Sequence, residues 1–220
     1  MGVKTFAQMQ ADLKFELGQR DDLDDYYDDW INAAYKTLTT SQKLFKMKKK
    51  LYFPQLETSG NVNTVDGTAY VAVPATCLII RDIWNSTDDQ ILRQIGAREY
   101  REKLGRANTS SEGAPTLWNR QGSSVYLYPT PDAVYTLTVY FKRRVTTLTG
   151  TAVTLLGEEW DNMIVKLAVI QSLARLKEYG YLEAEQALWA EEADALSGIY
   201  YEEEEARNVV WHVDPTYLGR

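Results

Sequence analysis

The 220-residue chain is 45% hydrophobic and 25% charged, a folded-protein composition with enough apolar mass for one sizeable core, or for one domain with a second inserted. Its 24 basic and 31 acidic residues leave a net charge of −7, which argues against sequence-independent binding of DNA phosphates but not against a wall that DNA passes without sticking. The single cysteine, Cys77, excludes an intrachain disulfide and reads as a small buried hydrophobe; no apolar signal region opens the chain, and no apolar run reaches membrane-spanning length.

In chain order, Phe6, Met9, Leu13 and Leu17 recur at helical spacing, and Gly18 supplies a stop. A second helix is expected from about residue 23 to 49, with Leu23, Tyr27, Trp30, Ile31, Ala34, Leu38 and Phe45 on its apolar stripe. Asp21, Asp22, Asp24, Asp25, Asp28 and Asp29 crowd its start. Lys43, Lys46, Lys48, Lys49 and Lys50 crowd its end, a polarity that complements the helix dipole. The aspartates lack the interposed glycine and distal glutamate of a calcium loop, so they read as a solvated helix start. The lysines read as a helix end that meets an acidic neighbouring subunit, with nucleic acid as the other partner considered.

From residue 51 the period changes to short β-branched and aromatic runs: KLYFPQLET, GTAYVAVP, CLIIRDIWN, TLWNRQG, SVYLYPTP and YTLTVYFKRR, punctuated by Gly, Pro, Asn, Asp and Ser. One helix, about residues 90 to 104, is expected to interrupt them. Residues 105 to 115, GRANTSSEGAP, read as a mobile loop suited to carrying contacts. Beyond Glu158 the helical period returns, with Trp160, Met163, Ile164, Leu167, Ala168, Ile170 and Leu173 covering most of the circumference. Gly180 breaks that helix. A last one, residues 182 to about 206, keeps a single stripe of Leu182, Trp189, Ala193, Leu196 and Tyr200.

These elements predict an α+β fold: a helical bundle of about four long helices with an inserted, mainly antiparallel β segment and an extended C-terminal arm. The expected boundaries are 1–50 with 151–206 for the bundle, 51–150 for the insertion and 207–220 for the arm.

The catalytic inventory is poor. His212 is the only histidine and lies in the tail, away from any scaffold a triad requires. Neither phosphate-binding glycine pattern occurs, and no Cys/His cluster has zinc spacing. The expectation is therefore no enzyme, no cofactor and no metal. The alternative is a carboxylate-dependent hydrolase built on one pair among the 31 acids. The 15 tyrosines and 6 tryptophans favour assembly instead, since both types are enriched at protein contacts.

Five stretches in sequence resemble one known family: WINAAYKTL, GTAYVAVPATC, IIRDIWNSTDDQILRQI, GAPTLWNRQGSSVYLYPTPDAVYTLTVYF and LLGEEWDNMIVKLAVIQSLARL. Their order and spacing are similar to those of the head-to-tail adaptor, or head-completion, proteins of tailed bacteriophages. The resemblance spans about residues 20 to 200. It implies a structural virion protein at the neck, made in the host cytoplasm, with the portal protein, the tail or next neck protein and copies of itself (commonly twelve, in a ring) as partners. Genome DNA would pass through without specific binding, and no membrane is involved.

The tail, residues 207 to 220, follows the acidic run Glu202 to Glu205. Extended, it reaches roughly 45 Å. Burying Val209, Val210, Trp211, Val213, Tyr217 and Leu218 is worth on the order of 10 kcal/mol. Ordering the backbone costs about 14 to 28 kcal/mol. Side-chain burial alone cannot hold the tail, so it needs main-chain hydrogen bonds from a partner or a preformed cleft. The six residues are expected to bind portal or a neighbouring subunit, as the family's C-terminal extensions commonly do, with Trp211 as chief anchor. A strap over the chain's own helices is the other reading.

Overall fold

The computed structural model describes residues 3–106 and 111–209. In chain order the elements are α1 (Phe6–Glu16), α2 (Asp24–Thr40), β1 (Glu57–Asn63), β2 (Tyr70–Ala72), β3 (Cys77–Asn85), β4 (Gln90–Gln94), α3 (Ala97–Arg106), β5 (Leu117–Gln121), β6 (Ser124–Tyr128), β7 (Thr136–Arg143), α4 (Glu158–Leu176) and α5 (Leu182–Val209). They fall into two compact units, Met1–Gln55 with Val145–Arg220, and Leu56–Arg144.

The first unit is helical. Thr5 starts α1 with a reciprocal cap: its hydroxyl accepts the Gln8 N–H at 3.3 Å, and its own N–H donates to Gln8 Oε1 at 2.8 Å. The sequence makes α4 apolar nearly all round, and the structure packs it against α1, α2 and α5. Trp160, Ile164, Leu167 and Ala168 are essentially inaccessible, and Phe53 meets Trp160 edge-on at 4.9 Å.

The irregular segment 145–157 runs through this helical unit, so its backbone polar groups need partners. Buried Asn32 on α2 supplies two: its Oδ1 accepts the Leu148 N–H at 2.7 Å and its amide donates to the Leu148 carbonyl at 3.1 Å. Tyr35 Oη accepts the Leu155 N–H at 2.9 Å. The first amides of α1 donate to the segment in turn, Phe6 to the Ala152 carbonyl and Ala7 to that of Gly150. Buried Asp161 on α4 accepts the Thr154 hydroxyl at 2.7 Å and the Lys4 N–H at 2.8 Å.

The second unit is one seven-stranded sheet in the order β1-β7-β3-β4-β5-β6-β2. Every neighbouring pair is antiparallel except β4 and β5, which are parallel and joined through α3. Alternation sends Ile83, Leu92, Trp118, Val125, Leu127, Leu137 and Val139 to one shared core. The sheet curls until its edge strands approach: a Cβ at Gly60 on β1 would lie 3.4 Å from Pro74, just beyond β2. Register shifts within β3, between Cys77 and Ile79 and between Ile80 and Asp82, are the kind of bulge that bends a strand. Tyr100 on α3 is buried against Tyr126 and directs its hydroxyl to the Leu127 carbonyl at 3.5 Å.

This architecture corrects the expected bundle of about four long helices with an inserted, mainly antiparallel β segment. Five helices and a seven-stranded curled mixed sheet are present among the described residues, and the sheet has a core of its own. Three local reasons account for it. Helix α2 stops at Thr40, because the Thr39 and Thr40 hydroxyls turn back to the Tyr35 and Lys36 carbonyls and Ser41 takes extended dihedrals. The stretch from 90 to 104 splits: Asn85 shapes a tight turn by accepting the Thr87 N–H at 3.1 Å, so residues 90–94 return as a strand before Gly96 opens α3. That inserted strand forms the parallel pair with β5. As for the arm, α5 runs through Val209, and the residues after it lie outside those described.

Candidate functional site

Three surface features stand out, two of them at opposite ends of α2. Where α2 ends, the chain makes a closed loop: the Leu51 N–H donates to the Gln42 carbonyl at 2.8 Å. Phe45 adopts a left-handed φ of 51° and sets its ring edge-on to Trp189 at 5.5 Å. Asp194 of α5 accepts the N–H groups of Lys48 at 2.9 Å and Lys49 at 2.8 Å. Lys43 Nζ donates to the Lys48 carbonyl at 2.6 Å. The loop is thus fixed through its backbone and one aromatic anchor. Lys43, Lys46, Lys48, Lys49 and Lys50 are all exposed, and none forms an ion pair among the described residues.

At the other end, Asp21 and Asp22 lie in a short 3-10 turn and Asp24 and Asp25 in the first turn of α2. Lys14 bridges Asp21 at 2.6 Å and Asp24 at 2.8 Å, and these two bonds hold its ammonium above the ordinary lysine range. Arg20 pairs with Asp22 at 2.7 Å and holds that carboxyl below its ordinary value. Gln10 bonds Asp28. Asp25 and Asp29 remain exposed and unpaired among the described residues.

The third feature is aromatic. Tyr179 and Tyr181, 61% and 79% exposed, flank Gly180 in the turn between α4 and α5. Phe15, 69% exposed on α1, borders a groove of about 340 Å³ with Val165 and Val169 of α4, closed on one side by the Lys4–Asp12 pair. The sequence signal for the tyrosines was available in KEYGYLE: a helix-breaking turn leaves its flanking side chains no core to enter.

Of the residues expected to bind portal or a neighbour, Val209 is the last of α5, while Val210, Trp211, Val213, Tyr217 and Leu218 lie outside the described residues, as does His212. Part of the expected loop is also described: Gly105 and Arg106 close α3, while the Gly113 N–H donates to the Thr130 carbonyl at 2.9 Å and so ties residues 111–115 to the strand region.

The chemistry-bearing groups have structural partners. Cys77 is buried, and burial pushes its thiol up, only partly offset by Arg120 at 3.8 Å. Asp161 is the one acid buried among the described residues; burial raises its carboxyl, and both oxygens are engaged by Thr154 and Lys4. Among the described residues no three acidic, histidine or cysteine side chains gather as a metal site would require, and no helix is long and apolar enough to cross a membrane.

No curated protein matches the chain. A family model does, that of the SU10 adaptor protein, and it covers residues 4–213, from just before α1 to beyond the end of α5. A match over nearly the whole chain, both units included, means that this protein belongs to the SU10 adaptor protein family, structural bacteriophage adaptors that connect head and tail.

Proposed function

We propose that copies of this chain form a ring at the neck of the virion, between the portal and the tail or next neck protein, enclosing the channel that the genome traverses. The observation that carries this reading is the family match across residues 4–213. Twelve copies is the number that the resemblance to head-completion proteins implies. Charge supports the reading. A ring multiplies −7 per copy into a strong negative field, and an acidic wall repels DNA so that it slides. The exposed tyrosines on the α4–α5 turn and the charges at both ends of α2 that are unpaired among the described residues supply contact surfaces suited to neighbours. Residues 207–220 act as an arm, with Val209, Val210, Trp211, Val213, Tyr217 and Leu218 docking on portal and avidity around the ring strengthening each contact.

Imaging portal-bearing heads with and without added chain tests the ring. Added density in the form of a ring beneath the portal is expected, and its absence would sink the reading. Truncation after Ala206, which removes residues 207–220, tests the arm. The shortened chain should keep its circular dichroism spectrum and melting temperature and lose portal binding. A truncated chain that melts several degrees earlier and still binds portal would make the tail a strap over its own helices.

A further inference from the structure

The two charged ends of α2 match each other. Asp25 and Asp29 stand fifteen and eleven residues before Thr40, the last residue of α2, about 22 and about 16 Å along the helix at 1.5 Å per residue. No lysine of the loop can therefore reach the aspartates of its own chain. We infer that the lysine loop, residues 43–50, receives the aspartate pole at the start of α2 of the next copy, so that subunits join head to tail around the ring; the inference rests on the ring reading above.

Three observations support this occupant. The loop is a built surface and not a frayed end, since Asp194, Trp189 and the Gln42 carbonyl all fix it. Its ammonium groups have no ion pair among the described residues, whereas Lys4, Lys14 and Lys166 do, Lys14 with Asp21 and Lys166 with Glu192 at 2.6 Å each. The matching aspartates, Asp25 and Asp29, are the pair at that pole left without a partner among the described residues. A contact between two different patches of the same chain is heterologous, and such contacts close into rings when the rotation permits.

DNA fits less well. A duplex carries a charge about every 1.7 Å and would extend past the loop onto α5, where Glu183, Glu185, Glu191, Glu192 and Asp194 line the sequence. An aspartate pole of limited extent meets the lysines without that repulsion.

Charge reversal tests the pairing. Lys46→Glu/Lys50→Glu changes side chains that hold no bond among the described residues, and Asp25→Lys/Asp29→Lys does the same at the other end, so folding, checked by circular dichroism, should be kept. Each reversal alone is expected to lower self-association by at least tenfold, both in concentrated solution and on portal-bearing heads. Combining the two should restore it. A single cysteine at each end, Asp29→Cys with Lys46→Cys, should yield only intermolecular cross-links with a short thiol reagent, because native Cys77 is buried. Unchanged association of either reversal overturns the pairing. So does loss without restoration, as would follow if the lysines meet portal or the chain's own Glu202–Glu205, and so does a loss confined to DNA retention. The two readings fail separately. Wild-type chain that binds heads but ignores the reversals keeps the ring and loses this contact. Chain that self-associates with the reversal signature but never binds portal-bearing heads does the opposite.

Discussion

At the scale of single residues, the helical unit depends on polar side chains placed inside an apolar pattern. Asn32 stands between Ile31 and Ala34 on the buried face of α2, where the sequence marks an anomaly but gives no partner. The partner, Leu148, is more than a hundred residues away and becomes adjacent only on folding. Asp161 is similar, and its ionisation makes it testable. Burial raises its carboxyl above the ordinary value, while the Thr154 hydroxyl and the Lys4 N–H pull it down. The folded chain therefore keeps this proton to higher pH than the unfolded chain does. The stabilisation is full below the ordinary carboxylate range and is lost as pH rises through the raised folded value. Asp161→Asn preserves both bonds if the Thr154 hydroxyl turns from donor to acceptor. Its melting temperature relative to wild type should thus rise as pH goes from about 3 to about 6. Asp161→Ala strands the buried Thr154 hydroxyl, at about 1–3 kcal/mol, and the part-buried Lys4 N–H, at less. A pH-independent difference between the Asn variant and wild type would show that the carboxyl is not raised.

At the scale of elements, legibility followed how local each signal was. Strand β3 was read to the residue, because CLIIRDIWN is apolar and β-branched between turn signals. Helices α4 and α5 were legible from their stripes and from Gly180. Two errors share one cause: apolar spacing was followed through residues that stop it. Phe45 falls seven positions after Leu38, in step for a helix, yet Thr39, Thr40 and Ser41 end α2 and Phe45 packs on Trp189 from a loop. Ile91, Leu92 and Ile95 suit a helix as well as a strand, and pairing with β3 decides for the strand, placing Leu92 in the core and Ile91 outward. Strand β1 was missed because ETSGNVN is polar and holds a glycine, as edge strands often are. Helix α3 has one deep anchor. Tyr100 is 3% exposed, so Tyr100→Ala should cost about 3–5 kcal/mol in chemical denaturation. Its hydroxyl contact is long at 3.5 Å, so Tyr100→Phe should stay within about 1 kcal/mol of wild type. A large loss from the phenylalanine variant would mean that the hydroxyl, and not the ring, holds α3.

At the scale of the whole molecule, the adaptor identity was legible before the architecture was, since the order of short motifs survives even where the boundaries between elements were misjudged. The charge distribution was legible in part. Both charged clusters of α2 were visible in the sequence, but their separation and the lysines' lack of ion pairs among the described residues required the fold. Assembly sets two electrostatic effects against each other. Net repulsion between copies of charge −7 acts over tens of ångströms, whereas a lysine–aspartate contact acts over a few. Between about 0.01 and 0.1 M salt the Debye length falls from about 30 to about 10 Å, which screens the repulsion and leaves the contact. Toward 1 M it falls to about 3 Å, and the contact itself weakens. Binding of wild-type chain to portal-bearing heads, followed by sedimentation across a salt series, should therefore rise to a maximum near about 0.1 M and then fall. In Lys46→Glu/Lys50→Glu the contact is absent, so binding should start weaker, rise as repulsion is screened and then level off. A wild-type curve that falls from the lowest salt upward would mean that attraction dominates at every distance, and repulsion between like-charged subunits would not then limit assembly.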